Sequence, residues 1–416
     1  MREMKDSGIA WVGKIPTHWT KKKGKYILRY MSKPVKQDDS VITCFRDGEV
    51  TLRSNRREDG FTMADKEIGY QGVDVGDLVV HGMDGFAGAI GISDSRGKAS
   101  PVLNVLNTKQ NKKYIMYYLR SMAYGEVFTA LSTGIRVRSC DLRWNKLAEL
   151  LYPLPPIDEQ NNIVNYIDEQ IARTNEIIAD TQAQIDTLEQ YKRSIITEAV
   201  THGLNPSAPM KDSGIPWVGE IPAKWAVLPI YCVYGERKRK NVFGTEQNLL
   251  SLSYGKVIRK DINTNGGLLP SNYNGYNIIE KNDIIIRPTD LQNDRTSLRT
   301  GLVKEHGIIT SAYIALKPKN RVSSKFYHYL LHSYDVKKVF YNMGNGVRQG
   351  LNYGEFAKLM VYYPPLDEQQ EIADYLDNKC AEIEQIIADK KSQIETLDGY
   401  KKSLIYEYVT GKKEVM

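Results

Sequence analysis

From Gln160 to Val200 the chain contains no Gly or Pro, and its apolar residues return every three or four positions. Val164, Ile171, Ile178 and Ile185 fall at heptad position a and Ile167, Leu188 and Ile195 at position d, a spacing that predicts a long helix with a coiled-coil seam. The register repeats later, with Ala373, Cys380, Ile387 and Ile394 at a and Leu376, Ile383, Leu397 and Leu404 at d. Lys192 and Lys401 interrupt the two seams at the same layer. Each helix is entered through a Pro-Pro step, Pro155-Pro156 or Pro364-Pro365, and an acidic pair, Asp158-Glu159 or Asp367-Glu368, which suits the positive end of a helix dipole. A helix of about 40 residues spans roughly 60 Å and would leave its stripe in water. Each must therefore pair, most simply with the other, and the globular segment between them lets the two lie antiparallel as a ruler. Ile163, Ile177, Ile372 and Ile386 at position g widen the stripe and predict a surface for a partner, with contact to the neighbouring globular domain as the alternative.

The helices belong to an internal repeat. "MKDSGIAWVGKIPTHW" from Met4 returns as "MKDSGIPWVGEIPAKW" from Met210, 206 positions later. "PLPPIDEQNNIVNYID" from Pro153 is echoed by "YYPPLDEQQEIADYLD" from Tyr362, and "QIDTLEQYKRSI" from Gln184 by "QIETLDGYKKSL" from Gln393, both 209 positions later. Between the echoes only patches are shared, such as "GDLVV" from Gly76 and "NDIII" from Asn282. Short β-branched runs separated by Gly, Asn and Asp predict strands and turns, and "KKYIMYYLRSM" and "SKFYHYLLHSYDVKKVF" predict helices. The predicted fold is mixed α/β: two globular domains, residues 1–155 and 206–363, joined by two long antiparallel helices, residues 156–205 and 364–416, with an internal pseudo-two-fold repeat. A duplicated scaffold with two divergent inserts suits the reading of two different targets with one geometry; duplication followed by drift is the plainer alternative.

Composition narrows the function. The 416 residues suffice for two or three domains, and 57 Lys plus Arg against 50 Asp plus Glu leave +7 and a pI near 8.9, an excess that permits a polyanion partner without requiring one. No apolar run is long enough for a membrane helix and the start lacks the features of a signal peptide, so a cytoplasmic protein is expected. Cys44, Cys140, Cys232 and Cys380 form no CxxC pair, and His328 and His332, four apart, lack the glutamate of an HExxH motif, so no metal site is expected. No GxxxxGK[ST] loop occurs, "GFAGAIG" from Gly85 has the wrong spacing for a cofactor loop and reads as a turn or close-packed strand, and no polar-Pro-Pro-Tyr motif for adenine methylation is present. No catalytic residue is assigned.

Candidate DNA contacts are the basic turns: Lys22 and Lys23 within the run Lys21 to Lys25, then Arg53, Arg56 and Arg57 in the first half, and Arg239 within Arg237 to Lys240, then Arg287, Arg295 and Arg299 in the second. Arg and Lys supply phosphate affinity, and Arg, Asn and Gln can read base edges; a solvated surface is the alternative. The turns "STGIRVR" from Ser132 and "GNGVRQG" from Gly344 precede the two Pro-Pro steps at matching places, and their Arg136, Arg138, Arg348 and Gln349 could meet a phosphate or merely fix the helix entry.

In these duplicated "SGI-W-G-IP--W" openings, Gly-x-Arg turns and "PLPPIDEQ" and "YPPLDEQ" helix entries, the chain resembles the specificity subunit of type I restriction-modification systems over nearly its whole length. The resemblance implies two target recognition domains that each read one half of a split, asymmetric site in double-stranded DNA, across a spacer set by the helices. It implies two modification subunits that bring S-adenosylmethionine, and restriction subunits that add ATP- and Mg-dependent action, with no cofactor in this chain. A coiled-coil adaptor that binds no DNA is the rival reading.

Overall fold

The computed structural model describes residues 2–56, 67–130, 142–261, 273–289, 291, 298–319, 321–343 and 350–415. The chain divides into two compact units: unit 1 is Met1–Thr181 with Lys391–Met416, and unit 2 is Gln182–Lys390.

Unit 1 opens with a hairpin of strands Met4–Asp6 and Lys14–Pro16. Its main sheet is antiparallel, with β1 (Leu28–Tyr30), β2 (Leu78–His81), β3 (Ile90–Ile92) and β4 (Leu103–Thr108) in the order β1-β4-β2-β3. Because side chains alternate along a strand, Leu78 and Val80 face helix α1 (Lys112–Tyr124), while Val79 and Val105 join Ile42, Cys44, Val50 and Val73 in a second core on the other face. Burial on both faces explains the uninterrupted apolar run at residues 78–80. Unit 2 repeats the plan with β5 (Tyr234–Glu236), β6 (Ile284–Ile286), β7 (Thr300–Leu302) and β8 (Ile314–Pro318) in the order β5-β8-β6-β7. Here Ile284 and Ile286 face helix α3 (Ser324–Val336), and Ile285 packs with Leu250, Ile279 and Ile309 behind the sheet.

The long helices are α2 (Ile157–His202, 46 residues) and α4 (Leu366–Val409, 44 residues). Within unit 1, the Tyr166 and Tyr408 rings meet at a tilt with centres 4.7 Å apart, and Asn175 accepts a 3.0 Å hydrogen bond from Lys401. Within unit 2, Gln184 meets Lys390 at 2.5 Å and Lys192 pairs with Glu384. In each unit one number rises as its partner falls, so the helices run antiparallel there, as the sequence predicts. The lysines that interrupt the seams thus find polar partners on the facing helix. Thr174 and Thr181, polar residues at d positions within the α2 seam, are also buried; each hydroxyl donates 2.7 Å to the carbonyl four residues back, which makes it compatible with a dry seam.

The duplicated sequence motifs reappear as duplicated fastenings. Gln160 and Gln369, the last residues of the two Pro-Pro-x-Asp-Glu-Gln entries, are fully buried. Gln160 donates to the Pro155 carbonyl at 2.9 Å and accepts from the Asn111 amide at 3.0 Å; Gln369 donates to Pro364 at 2.8 Å and accepts from Ser323 at 2.9 Å. Each glutamine therefore ties a long helix to the cap of the short helix beside it. Further along the same helices, Asp168 receives Lys113 at 2.6 Å and Tyr117 at 2.5 Å, and Asp377 receives Lys325 at 2.6 Å and Tyr329 at 2.8 Å.

The opening motifs pack on helix ends. Trp19 and Trp225 are both inaccessible. Ile9, Val12, Ile15 and Trp19 share the core of unit 1 with Leu404, Ile405, Tyr408 and Val409, and Ile215, Ile221 and Trp225 share that of unit 2 with Ile196, Ala199 and Val200. The start of the chain is thus closed by the end of α4, and the start of the second half by the end of α2. The acidic pairs lie in the first turn as predicted, and their glutamates do more than meet the helix dipole: Glu159 forms an ion pair with Arg2 and meets His18, and Glu368 accepts from Trp225 and forms an ion pair with Lys224.

Gln369→Leu removes both bonds of the clasp and leaves a buried amide and carbonyl unmet. It should lower stability by about 2–4 kcal/mol, read as a fall in the denaturant midpoint of the full chain. Gly399, exposed within α4 with open space around its Cβ position, should behave oppositely. Gly399→Ala is expected to raise stability by about 0.5–1 kcal/mol in the same assay.

Candidate nucleic-acid interface

The hairpin of strands Ile42–Cys44 and Val50–Leu52 crosses the sheet of unit 1 and can do so only because of a glycine. A Cβ on Gly91 in β3 would stand 2.0 Å from the Gly48 carbonyl oxygen at the hairpin tip. Earlier in the same Gly-rich segment, Gly88 has φ of +98° and lies under the Arg46 carbonyl. The stretch "GFAGAIG" is therefore a 3-10 turn, Gly85–Ala87, running into a close-packed strand.

Between the hairpin and the ends of β2 and β4 lies a concavity of about 720 Å³, lined by Thr43, Arg46, Arg53, Arg56, His81 and Asp84 among others. Arg56 is pinned by Asp47 at 2.6 Å and Glu49 at 3.2 Å and lies 4.3 Å from the Phe45 ring centre. Arg53 reaches the Thr43 hydroxyl at 3.4 Å, and Arg46 pairs with Asp84 at 2.9 Å. His81 accepts from the amides of Met83 and Asp84 through Nδ1, at 3.2 and 2.9 Å, which places its proton on Nε2. Burial lowers the affinity of this imidazole for a second proton, against the opposing pull of Asp84. The site thus combines cations that suit phosphate with a neutral N–H of fixed direction that suits an acceptor on a base edge.

Arg53 and Arg56 are candidates that the structure brings together; Arg46 and His81 are functional candidates that sequence reasoning missed. Neither lies in a basic run, and their proximity depends on the hairpin folding back. The strand-end position of His81 in β2 is held in unit 2 by Arg287, directly after β6, another sequence candidate. Arg239 is exposed and pairs loosely with Glu280 at 3.5 Å. Of the run Lys21 to Lys25, Lys23 and Lys25 both grip Glu149, at 2.6 and 2.8 Å, and Lys21 donates to the Ser7 carbonyl. Lys22 is exposed, and its side chain makes no hydrogen bond or ion pair among the described residues. Arg57, Arg136, Arg138, Arg295, Arg348 and Gln349 lie outside the described residues.

Two expectations need correction. Arg299 is not a surface cation: it is completely buried, donates to the Thr289 carbonyl at 2.6 Å and sits 5.5 Å from the Tyr341 ring centre, a fastening inside unit 2. Ile163 and Ile372 are likewise enclosed in the cores of their own units, so the neighbouring domain, rather than a partner, covers them. Ile177 and Ile386, at the same heptad position, remain 47% and 44% exposed. The paired histidines of α3, His328 and His332, are partly buried, and desolvation pulls the pKa of each down to about 4; among the described residues no group of three or more His, Cys, Asp or Glu side chains is placed to hold a metal. No described helix is long and apolar enough to cross a membrane.

Residues 236–396, which contain β6, β7, β8 and the short helix of unit 2, match the type I restriction modification DNA specificity domain. The second half of the chain is thus similar to the DNA specificity domain of type I restriction-modification systems. The chain is similar to the MjaX type I restriction enzyme specificity subunit of Methanocaldococcus jannaschii, 22% identical over 324 residues that cover 75% of this chain and 72% of the relative. Its fold is shared by a chain from a solved type I R-M system, with TM-score 0.71, 13% identity and coverage of 96% and 99%, and by the HsdS subunit of Thermoanaerobacter tengcongensis, with TM-score 0.51, 13% identity and coverage of 96% and 98%. The rival reading as an adaptor unrelated to DNA is not favoured by these likenesses.

Gly91→Ala forces the Gly48 carbonyl away from β3 and should destabilise unit 1 by about 1–3 kcal/mol. The expected reading is a lower denaturant midpoint accompanied by faster protease cutting at residues 45–49.

Proposed function

We propose that each unit of this specificity subunit reads one half of a split, asymmetric sequence in double-stranded DNA, and that the chain itself does no chemistry. The observation that carries the reading is the contrast between fastenings and tips. The glutamine clasps, the aspartate pairs and the buried tryptophans repeat between the halves, whereas the strand-end position at the mouth of the sheet holds His81 in one and Arg287 in the other. One scaffold with different side chains at its tips is what two different half-sites require. On this reading two modification subunits supply S-adenosylmethionine and methylate adenine, restriction subunits add ATP- and Mg-dependent translocation and cleavage, and Ile177 and Ile386 belong to the surface that a partner covers. The continuous helices α2 and α4 set the spacer between the half-sites.

Mapping adenine methylation in cells that carry this chain with its modification subunit tests the reading. Exchange of residues 20–155 for the equivalent segment of another specificity subunit should change one half of the methylated motif and leave the other intact; change in both halves refutes modular reading. In binding assays on the mapped site, the double variant Arg46→Ala, Arg53→Ala should weaken binding and reduce the slope of log K against log salt by about one for each phosphate no longer neutralised. Unaltered affinity and slope would remove the concavity of unit 1 from the interface.

A further inference from the structure

Phe243 is the most exposed large hydrophobic side chain among the described residues, at 88%. Beside it Val242 is 61% exposed. Solvent-facing Phe at a loop tip often reflects a loop with no fixed shape, but this loop is built around a buried anchor. Asn241, 1% exposed, donates through Nδ2 to the Glu246 carbonyl at 2.9 Å, accepts from the Glu246 amide at 3.2 Å, and its own amide donates to the Tyr276 carbonyl at 3.0 Å. The Gly244 amide closes the turn onto the Asn241 carbonyl at 3.0 Å, with φ of +61° at Gly244, a conformation that favours glycine. The far side is held by His306, which bridges Glu246 at 2.8 Å and Glu280 at 2.7 Å. The loop therefore holds its two apolar side chains out to solvent by a dense set of bonds at its base.

The approach to this tip is basic. Lys238 and Arg239 are 74% and 64% exposed, and Lys240 is exposed with its ammonium on the Gly275 carbonyl at 3.0 Å. In unit 1 the corresponding turn, residues 34–40, reads Pro-Val-Lys-Gln-Asp-Asp-Ser and carries no aromatic residue. The feature is thus peculiar to one unit and absent from the shared scaffold.

We propose that Phe243 is a wedge that enters or stacks against a base step in the DNA read by unit 2, with Lys238 and Arg239 on the flanking phosphates. This deepens the DNA-reading proposal and rests on it. An apolar side chain held rigidly beside cations matches the chemistry of side chains that partly unstack duplex DNA: the aromatic face replaces the base stacking given up, and cations on the phosphates offset the cost of unstacking. Rigidity matters because a loop that had to order itself on binding would lose conformational entropy at that moment.

The test uses the full chain assembled with its modification subunits, on duplexes that carry the mapped site with 2-aminopurine placed at one position at a time through the half-site of unit 2, the methylated adenine excepted. Binding should raise the fluorescence at one step. F243A should abolish that rise and weaken binding by about tenfold, F243W should retain both, and K238A and R239A should each lower the salt slope by about one. Because Phe243 contacts no core, F243A should keep the wild-type melting midpoint and the same partner stoichiometry. If F243A leaves the fluorescence and affinity unchanged while K238A and R239A weaken binding, the wedge is wrong and the DNA reading stands. If none of these variants alters binding, although the unit 1 variants do, this face of unit 2 does not meet DNA and the wedge is again wrong. Dissociation of the modification subunits on F243A, with the fluorescence signal preserved, would make Phe243 a protein contact and overturn the proposal.

Discussion

Everything in this molecule follows from two apolar seams that cannot stay in water. A single helix with the stripe of α2 would expose Val164, Ile167, Ile185 and Ile195 along its length, and the remedy is a second stripe of the same period. Once α4 supplies it antiparallel within each unit, the end of each helix is brought to the beginning of the other's domain. The hydrophobic effect is without direction, so the seam alone would tolerate other partners and registers. Direction comes from the polar layers: Lys192 on Glu384, Lys401 on Asn175 and the paired Tyr166 and Tyr408 give up their partners if the helices slip by a turn.

The buried glutamines convert that helix pairing into domain placement. Gln160 and Gln369 each satisfy a carbonyl at the end of the strand that leads into the long helix and an amide at the cap of the short one. Because a buried unmet amide is costly, the two helices keep one relationship, and the sheet that packs on the short helix inherits it. Asp168 and Asp377 repeat the restraint a few turns away. The proposed reading of DNA needs such restraint, since base contacts depend on side chains arriving within a few tenths of an ångström of donors and acceptors on the base edge.

Against this stiff scaffold the residues proposed to meet DNA are carried on tips. The hairpin that bears Arg46 is admitted by the missing side chain of Gly91, and the turn that bears Phe243 is closed by Gly244. Cations at these tips are held by carboxylates that are themselves accessible, as with Arg46 and Asp84, so exchange of a carboxylate for a phosphate costs little in a solvated setting. Arg299, by contrast, is sealed among carbonyls and an aromatic ring, and could not be drawn out without opening the unit.

Periodicity and repetition belong to the sequence. The 3.5-residue spacing at Val164 to Ile195 and Ala373 to Leu404 determined the two long helices, the return of the opening motif determined the two halves, and the apolar runs at residues 78–80 and 284–286 determined central strands, because each is a local consequence of which side chains must leave water. The Pro-Pro entries and their acidic pairs were likewise legible, since helix starts obey local rules. What the sequence could not determine is which charged residues face solvent and which are enclosed. Arg56 and Arg299 look alike in a string of letters, and so do Ile163 and Ile177 at one heptad position, yet one of each pair is buried and the other is not. That difference is set by what lies across the fold, through contacts between residues far apart in the chain, and only the tertiary structure brings His81, Arg46 and Arg53 around one concavity.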